Sequence, residues 1–200
     1  MTRWYCVARC VVSGLAHLFF RLTVVGAANV PKEGGVIVAA NHNSYFDIPL
    51  LGCCLARQAD YLAKQELFEN RPIGLLLRSL GGIPLRRAGV DRASLTEATT
   101  RLRAGRLLVL YPEGTRSPNG VLQPARSGIG KLVAQSGARV VPVFIRGTAR
   151  ARPFRSVTLI FGKPMDFQPL LQGHEMRPTR LYATLAQSVM SEIERLGRTP

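Results

Sequence analysis

Residues 36–40, 107–111 and 140–145 form short apolar runs that carry no charge and do not alternate with polar residues. A strand with one wet face alternates apolar and polar side chains, whereas a continuous run needs cover on both faces. The run at 107–111 thus carries the mark of a buried strand, and 36–40 and 140–145 also read as strands. Residues 22–25, 61–63, 83–85 and 157–161 are further strand candidates. Helical patterns fill 47–57, 73–80, 91–104, 128–136 and 178–196. Pro72 opens one of them, and the helix beginning at Asp91 stops before Gly105. A turn rich in Gly and Pro occupies 29–35. Strand and helix in alternation predict a single α/β domain with a mainly parallel central sheet flanked by helices. In such folds, chemistry gathers on loops leaving the carboxyl ends of strands.

The opening segment, residues 4–22, is apolar, but its charge-free stretch runs only from Cys10 to Phe20. That falls short of the ~20 residues a spanning helix needs, and no small-residue cleavage site follows Arg21. Wound as a helix, Arg9, Ser13, His17 and Arg21 form a polar stripe. Trp4, Val11, Leu15, Leu18 and Leu22 lie opposite, with Val7 and Phe19 at the edges. Such a helix can lie in a membrane interface, or pack on its own domain. The expected division is an interfacial amphipathic helix over 1–22 and a catalytic domain over 23–200.

Twenty-seven Lys and Arg against 12 Asp and Glu give a net charge of +15. This excess favours anionic partners: nucleic acid, anionic membrane or phosphorylated substrates. Arg146, Arg150, Arg152 and Arg155 are the densest group, suited to anionic lipid or to a solvated loop. No nucleic-acid motif is present, so no nucleic-acid partner is expected. The cysteines at 6, 10, 53 and 54 have no zinc spacing, so no metal is expected.

Two motifs follow strands. Asn41-His42-Asn43-Ser44-Tyr45-Phe46-Asp47 offers a histidine of near-neutral pKa and a carboxylate to orient it. Alternatively, Ser44 or Asp47 caps the next helix and His42 is a loop residue. Tyr111-Pro112-Glu113-Gly114-Thr115-Arg116-Ser117 offers a sharp turn at Gly114 and a planar guanidinium for phosphate at Arg116. Between them, Gly81-Gly82-Ile83-Pro84-Leu85-Arg86-Arg87 can bring a second cation.

In this order, the three motifs and the proline-centred strand at 140–145 resemble the glycerolipid acyltransferase family. Its best-known members are the lysophosphatidate (1-acylglycerol-3-phosphate) acyltransferases, and the likeness covers about residues 20–165. The resemblance implies that His42 is the general base and Asp47 its orienting acid. It also implies that Arg87, Glu113, Gly114, Thr115 and Arg116 bind the acceptor. Where many members carry a lysine after the second motif, this chain has Arg126. The implied reaction moves an acyl group from acyl-CoA or acyl-carrier protein to a lysophospholipid at the cytoplasmic face of a membrane, with no bound cofactor. One rival makes Cys53 or Cys54 a nucleophile, against which a buried thiol is expected to be inert. The other is a non-enzymatic basic module that binds membrane or nucleic acid.

Overall fold

The computed structural model describes residues 2–86, 92–117, 119–149, 152–172 and 176–198. Helix α1 (Arg3–Phe19) leads directly into β1 (Arg21–Val25). There follow β2 (Val36–Ala40), α2 (Asp47–Cys54), β3 (Ala59–Lys64), α3 (Arg71–Ser79), β4 (Gly82–Leu85), α4 (Arg92–Arg103) and β5 (Leu107–Leu110). The chain ends with α5 (Gly128–Ser136), β6 (Arg139–Arg146), β7 (Ser156–Phe161), α6 (Gln168–Gln172) and α7 (Pro178–Gly197). The expected start of α4 at Asp91, and the His174 turn, lie outside the described residues.

The strands form one sheet in the order β1-β7-β6-β2-β5-β3-β4. From β6 to β4 all neighbours are parallel, as the apolar runs predict. β7 is antiparallel to β6, and β1 pairs parallel with β7, so these two run against the rest. The link at 147–155 is too short for a parallel crossover, which needs a dozen residues or more. Pro142 fits an inner strand because of where the second neighbour joins. Val140 bridges Met165, the β7 ladder begins at Val143, and the Pro142 carbonyl accepts from Gly162 N.

β2 is buried along its whole length. Val36, Val38 and Ala40 pack with Ala16 of α1 and Leu50 and Leu51 of α2. Ile37 and Ala39 pack with Leu102, Leu132 and Leu185 from α4, α5 and α7. The two-sided burial read from the sequence therefore becomes a three-layer domain.

Helix α1 meets the domain through its small and polar side. Tyr5 and Ala16 are buried, Arg9 Nη1 donates to the Leu55 carbonyl at 2.8 Å, and Ala59 N donates to the Tyr5 hydroxyl. Trp4, Val7, Val11, Leu15, Leu18 and Phe19 point outward, 43% to 63% exposed. Leu22 requires a correction: the helix ends at Phe19, and Leu22 sits in β1 opposite Val157, against the core. Arg21 likewise belongs to β1 rather than to the polar stripe.

At the amino edge of the parallel strands, the buried Asp60 carboxylate takes Arg106 Nε and Nη2 at 2.6 and 2.7 Å and Arg101 Nη1 at 2.9 Å. Removing one partner of a buried pair costs about 3–5 kcal/mol, and the partly exposed arginines can rehydrate. Asp60→Ala should therefore lose about 3 kcal/mol in urea unfolding; a loss under about 0.5 kcal/mol would overturn this assignment.

Candidate active site

β2 and β5 are parallel neighbours, so the loops at 41–46 and 111–117 leave the same edge of the sheet. Asn41 extends the ladder beyond β2: its side chain donates to the Ile145 carbonyl at 2.9 Å and accepts from Ile145 N at 2.7 Å. Asn43 Nδ2 donates to the same carbonyl. The chain then turns tightly around Asp47. One carboxylate oxygen of this fully buried residue accepts from Asn43 N at 2.6 Å, Ser44 N at 2.7 Å and His42 Nδ1 at 2.9 Å. An ionised carboxylate only accepts, so the hydrogen lies on Nδ1 and Nε2 keeps its lone pair. The His42 side chain is 13% exposed. Of the two alternatives read from the sequence, the geometry shows the contact with the histidine and no helix cap: the cap position is Phe46, without a side-chain cap bond, and Asp47 binds N–H groups that precede the helix.

Tyr111 stacks beneath the imidazole, ring centroids 4.0 Å apart. Its hydroxyl and the second oxygen of Asp47 are buried without a hydrogen-bond partner. Burial, reinforced by the Asp47 charge, pushes the Tyr111 phenol well above its ordinary pKa and keeps it neutral.

Glu113, expected among the acceptor-binding residues, is 2% exposed and fully engaged. One oxygen accepts from His42 N at 2.8 Å and the other from Gln123 N at 2.9 Å. Ser117 N donates to the His42 carbonyl at 2.7 Å, so the second loop grips the first at both backbone groups of the histidine. Burial raises the Glu113 carboxyl above the usual range, against the pull of the two backbone N–H groups. Its geometry is that of a brace beneath His42.

The exposed side of this loop carries Gly114, Thr115 and Arg116. The Arg116 guanidinium lies 3.7 Å from the ring centroid of Tyr45, which orients its planar fork. Gly114 has φ of 66°, and a Cβ there would come within 2.6 Å of the Arg126 side chain. Arg126 thus crosses directly over the turn and adds a second cation beside Arg116. Arg87 lies outside the described residues. β4, which leads to it, ends on the same edge, about 10 Å from β5 at two strand spacings.

Cys53 departs from the expected inert thiol. A hydrogen bond from Cys54, with His17 and Arg9 nearby, lowers it to about 7 despite partial burial, while the same bond and burial push Cys54 up. Cys53 Sγ donates to the Leu50 carbonyl and sits six residues beyond Asp47, about 9 Å along the helix axis. It packs with the core on the side of α1, away from the histidine loop. Sequence reasoning quoted Tyr111, Asn41 and Asn43 without giving them roles. The signal available was their position at strand ends bracketing the histidine.

A carboxylate-braced histidine on an exposed, cation-lined sheet edge is the equipment of general-base group transfer. A family model described as Acyltransferase matches residues 21–146, spanning both loops, and the chain belongs to that family. It is an enzyme of the 1-acylglycerol-3-phosphate O-acyltransferase-like kind. It is 28% identical over 146 residues to the 1-acyl-sn-glycerol-3-phosphate acyltransferase of Bacillus subtilis (strain 168), covering 71% of this chain and 72% of that one. A Pseudomonas aeruginosa lyso-ornithine lipid O-acyltransferase is 33% identical over 149 residues, covering 72% of this chain and 53% of its own length. The chain spans less than half, 43%, of a chloroplastic relative from Brassica napus. The crystal structure of the 1-acyl-sn-glycerophosphate (LPA) acyltransferase PlsC from Thermotoga maritima superposes with a TM-score of 0.77 at 27% identity. That match covers 98% of this chain and 80% of the other.

Glu113→Ala would leave two N–H groups at 42 and 123 without acceptors. The expected loss is about 2 kcal/mol in urea unfolding. A variant within about 0.5 kcal/mol of the parent would show that water replaces the carboxylate freely.

Proposed function

We propose that the enzyme transfers a fatty acyl group from acyl-CoA or acyl-carrier protein to the sn-2 hydroxyl of lysophosphatidate, giving phosphatidate for phospholipid synthesis. The observation that carries this reading is the His42–Asp47 contact, which leaves Nε2 as a base at an open edge. Nε2 takes the proton of the acceptor hydroxyl as its oxygen attacks the thioester carbonyl. The tetrahedral oxyanion collapses, the C–S bond breaks, and the proton passes from the imidazolium to the departing thiolate. General-base assistance of this kind is worth about 10²- to 10⁴-fold. Arg116, steadied on Tyr45, takes the acceptor phosphate, helped by Arg126, which lies against the Gly114 turn, and by Arg87. Gly114 and Thr115 form the exposed turn beneath that phosphate. Their effect is positional, setting the hydroxyl against His42. No metal or bound cofactor takes part in this scheme.

A second acceptor class is favoured by one observation: the Pseudomonas relative is named for a lyso-ornithine lipid. Acylation of another lysolipid by the same mechanism would use the same base and a differently filled cation site.

The outward stripe of α1 supports attachment in the interface of the cytoplasmic leaflet. The Trp4 indole donates to Ser79 Oγ at 3.1 Å, tying α1 to α3, where Ile73, Leu75 and Leu76 are also exposed. No described helix is long and apolar enough to cross a membrane. Inserting these side chains gains on the order of 1 kcal/mol or more apiece, in the geometry of a helix lying flat.

Thiol release from acyl-CoA or acyl-carrier protein, followed with lysophosphatidate and with lyso-ornithine lipid, tests the reaction. His42→Ala should lower kcat by about 10²-fold or more at unchanged fold; turnover within a few-fold of the parent would remove His42 as the base. Leu15→Glu with Leu18→Glu should abolish co-sedimentation with anionic vesicles and leave the thermal midpoint unmoved. Retained binding would place the membrane contact elsewhere.

A further inference from the structure

A cavity of about 700 Å³ lies beside the histidine loop, lined by Ser44, Phe46, Gly147, Thr148, Arg152 and Arg155 among others. It is separate from the Arg116 turn, and the tripeptide Ser44-Tyr45-Phe46 divides the two. Tyr45 carries the Arg116 guanidinium, while its neighbours on either side face the cavity. The cavity is within the size range of small-molecule sites, and no catalytic or acceptor role assigned above uses its far wall.

That wall is chemically specific. Thr148 is 1% exposed, and its Oγ1 has no hydrogen-bond partner, which a buried hydroxyl rarely tolerates. Gly147, at φ of 94°, lets the chain turn where a Cβ would meet the Ser156 carbonyl at 2.3 Å, and so sets Thr148 behind the pocket. Arg152 and Arg155 line the mouth, and no described carboxylate pairs with either. The loop is pinned in place: Phe154 N donates to the Phe19 carbonyl at 2.6 Å, and the Arg155 carbonyl accepts from Arg21 N at 3.0 Å. Phe154 is the one described non-glycine residue with positive φ, at 65°, and is 68% exposed beside the end of α1. An orphan hydroxyl with two unpaired guanidinium groups is a site for a phosphate ester.

We propose that this cavity holds the phosphate of the thioester donor, the phosphopantetheine portion common to acyl-CoA and acyl-carrier protein. This rests on the reaction proposed above, which joins two phosphate-bearing substrates at one base. With the acceptor phosphate on Arg116, the second anion site falls to the donor. The loop that carries His42 walls both: Ser44 and Phe46 line the cavity, and Tyr45 carries the Arg116 guanidinium. The donor phosphate accepts from Thr148 Oγ1, Arg152 and Arg155, and the pantetheine arm runs past Ser44 toward the imidazole.

The test titrates free coenzyme A and holo-acyl-carrier protein into the full chain by calorimetry, which needs no turnover. Parent protein is compared with Thr148→Val, whose volume is nearly the same, and with the Arg152→Gln/Arg155→Gln double variant. Thermal unfolding confirms that each is folded. The double variant should weaken donor binding about ten-fold or more, and Thr148→Val about three- to ten-fold. In turnover, KM for acyl-CoA should rise by the same factors while KM for lysophosphatidate stays within about two-fold. Donor binding unchanged in both variants, or absent from the parent with either probe, overturns the proposal. A rise confined to KM for lysophosphatidate overturns it in favour of a lipid headgroup in the cavity. If the parent turns over no lysophosphatidate, the proposed reaction fails while the coenzyme A titration still decides the cavity.

Discussion

The chemistry of this fold hangs on one oxygen atom. A single carboxylate oxygen of Asp47 gathers the imidazole of His42 and the backbone N–H groups of Asn43 and Ser44, all within 2.9 Å. Those bonds force the chain leaving β2 into a tight turn that returns immediately as α2. At the first turn of that helix the carboxylate is also favoured by the helix dipole. The loop therefore holds its conformation through the group that orients the His42 ring. Removing Asp47 would release the turn, the tautomer and the start of α2 together.

The sheet separates stability from function along its strands. At the amino edge, Asp60 with Arg101 and Arg106 fixes β3 against β5. Arg57 there binds the carbonyls of Pro31, Gly34 and Gly105, tying three connections into one girdle. At the carboxyl edge the buried Asp47 and Glu113 hold the two loops, and beside them stand the exposed Arg116 guanidinium over the Tyr45 ring and the unpartnered Tyr111 hydroxyl. A parallel sheet allows this division because every strand from β6 to β4 points its end the same way.

What the sequence made legible follows from where the determinants are local. The runs at 36–40, 107–111 and 140–145 are buried strands because burial on both faces leaves no room for polar residues. The spacing of His42 and Asp47 is closed by a turn that four intervening residues can make. The orientation of β1 and β7 was not legible, because it depends on how a short link returns across the sheet. The acceptor role of Glu113 is what the family resemblance implies. Only the fold shows both of its oxygens taken by backbone 71 and 10 residues away in the chain. Nothing local in the sequence shows that Gly114 leaves room for the Arg126 side chain against the turn. The helical stripe of α1 was legible as a pattern, but its polar side is the one that docks, through Arg9 and Tyr5, and this leaves the bulky side outside.

That inverted docking joins the surface to the site. Phe20, the C-cap residue of α1, meets Phe46 edge-on at 5.6 Å between ring centroids, and Phe46 immediately precedes Asp47. The end of α1, the aromatic pair and the Asp47 carboxylate are thus consecutive along one path of contacts. If the apolar stripe lies in a leaflet, His42 is held at a fixed depth from it, set by packed rings rather than by a flexible tether. An acceptor whose acyl chain stays among the lipids could then present its hydroxyl without leaving the bilayer, while a water-soluble thioester arrives from the side of Arg152 and Arg155. The +15 charge suits that arrangement. In the proposed reaction it would draw the protein toward anionic lipid and supply cations for the two substrate phosphates, which would otherwise repel each other.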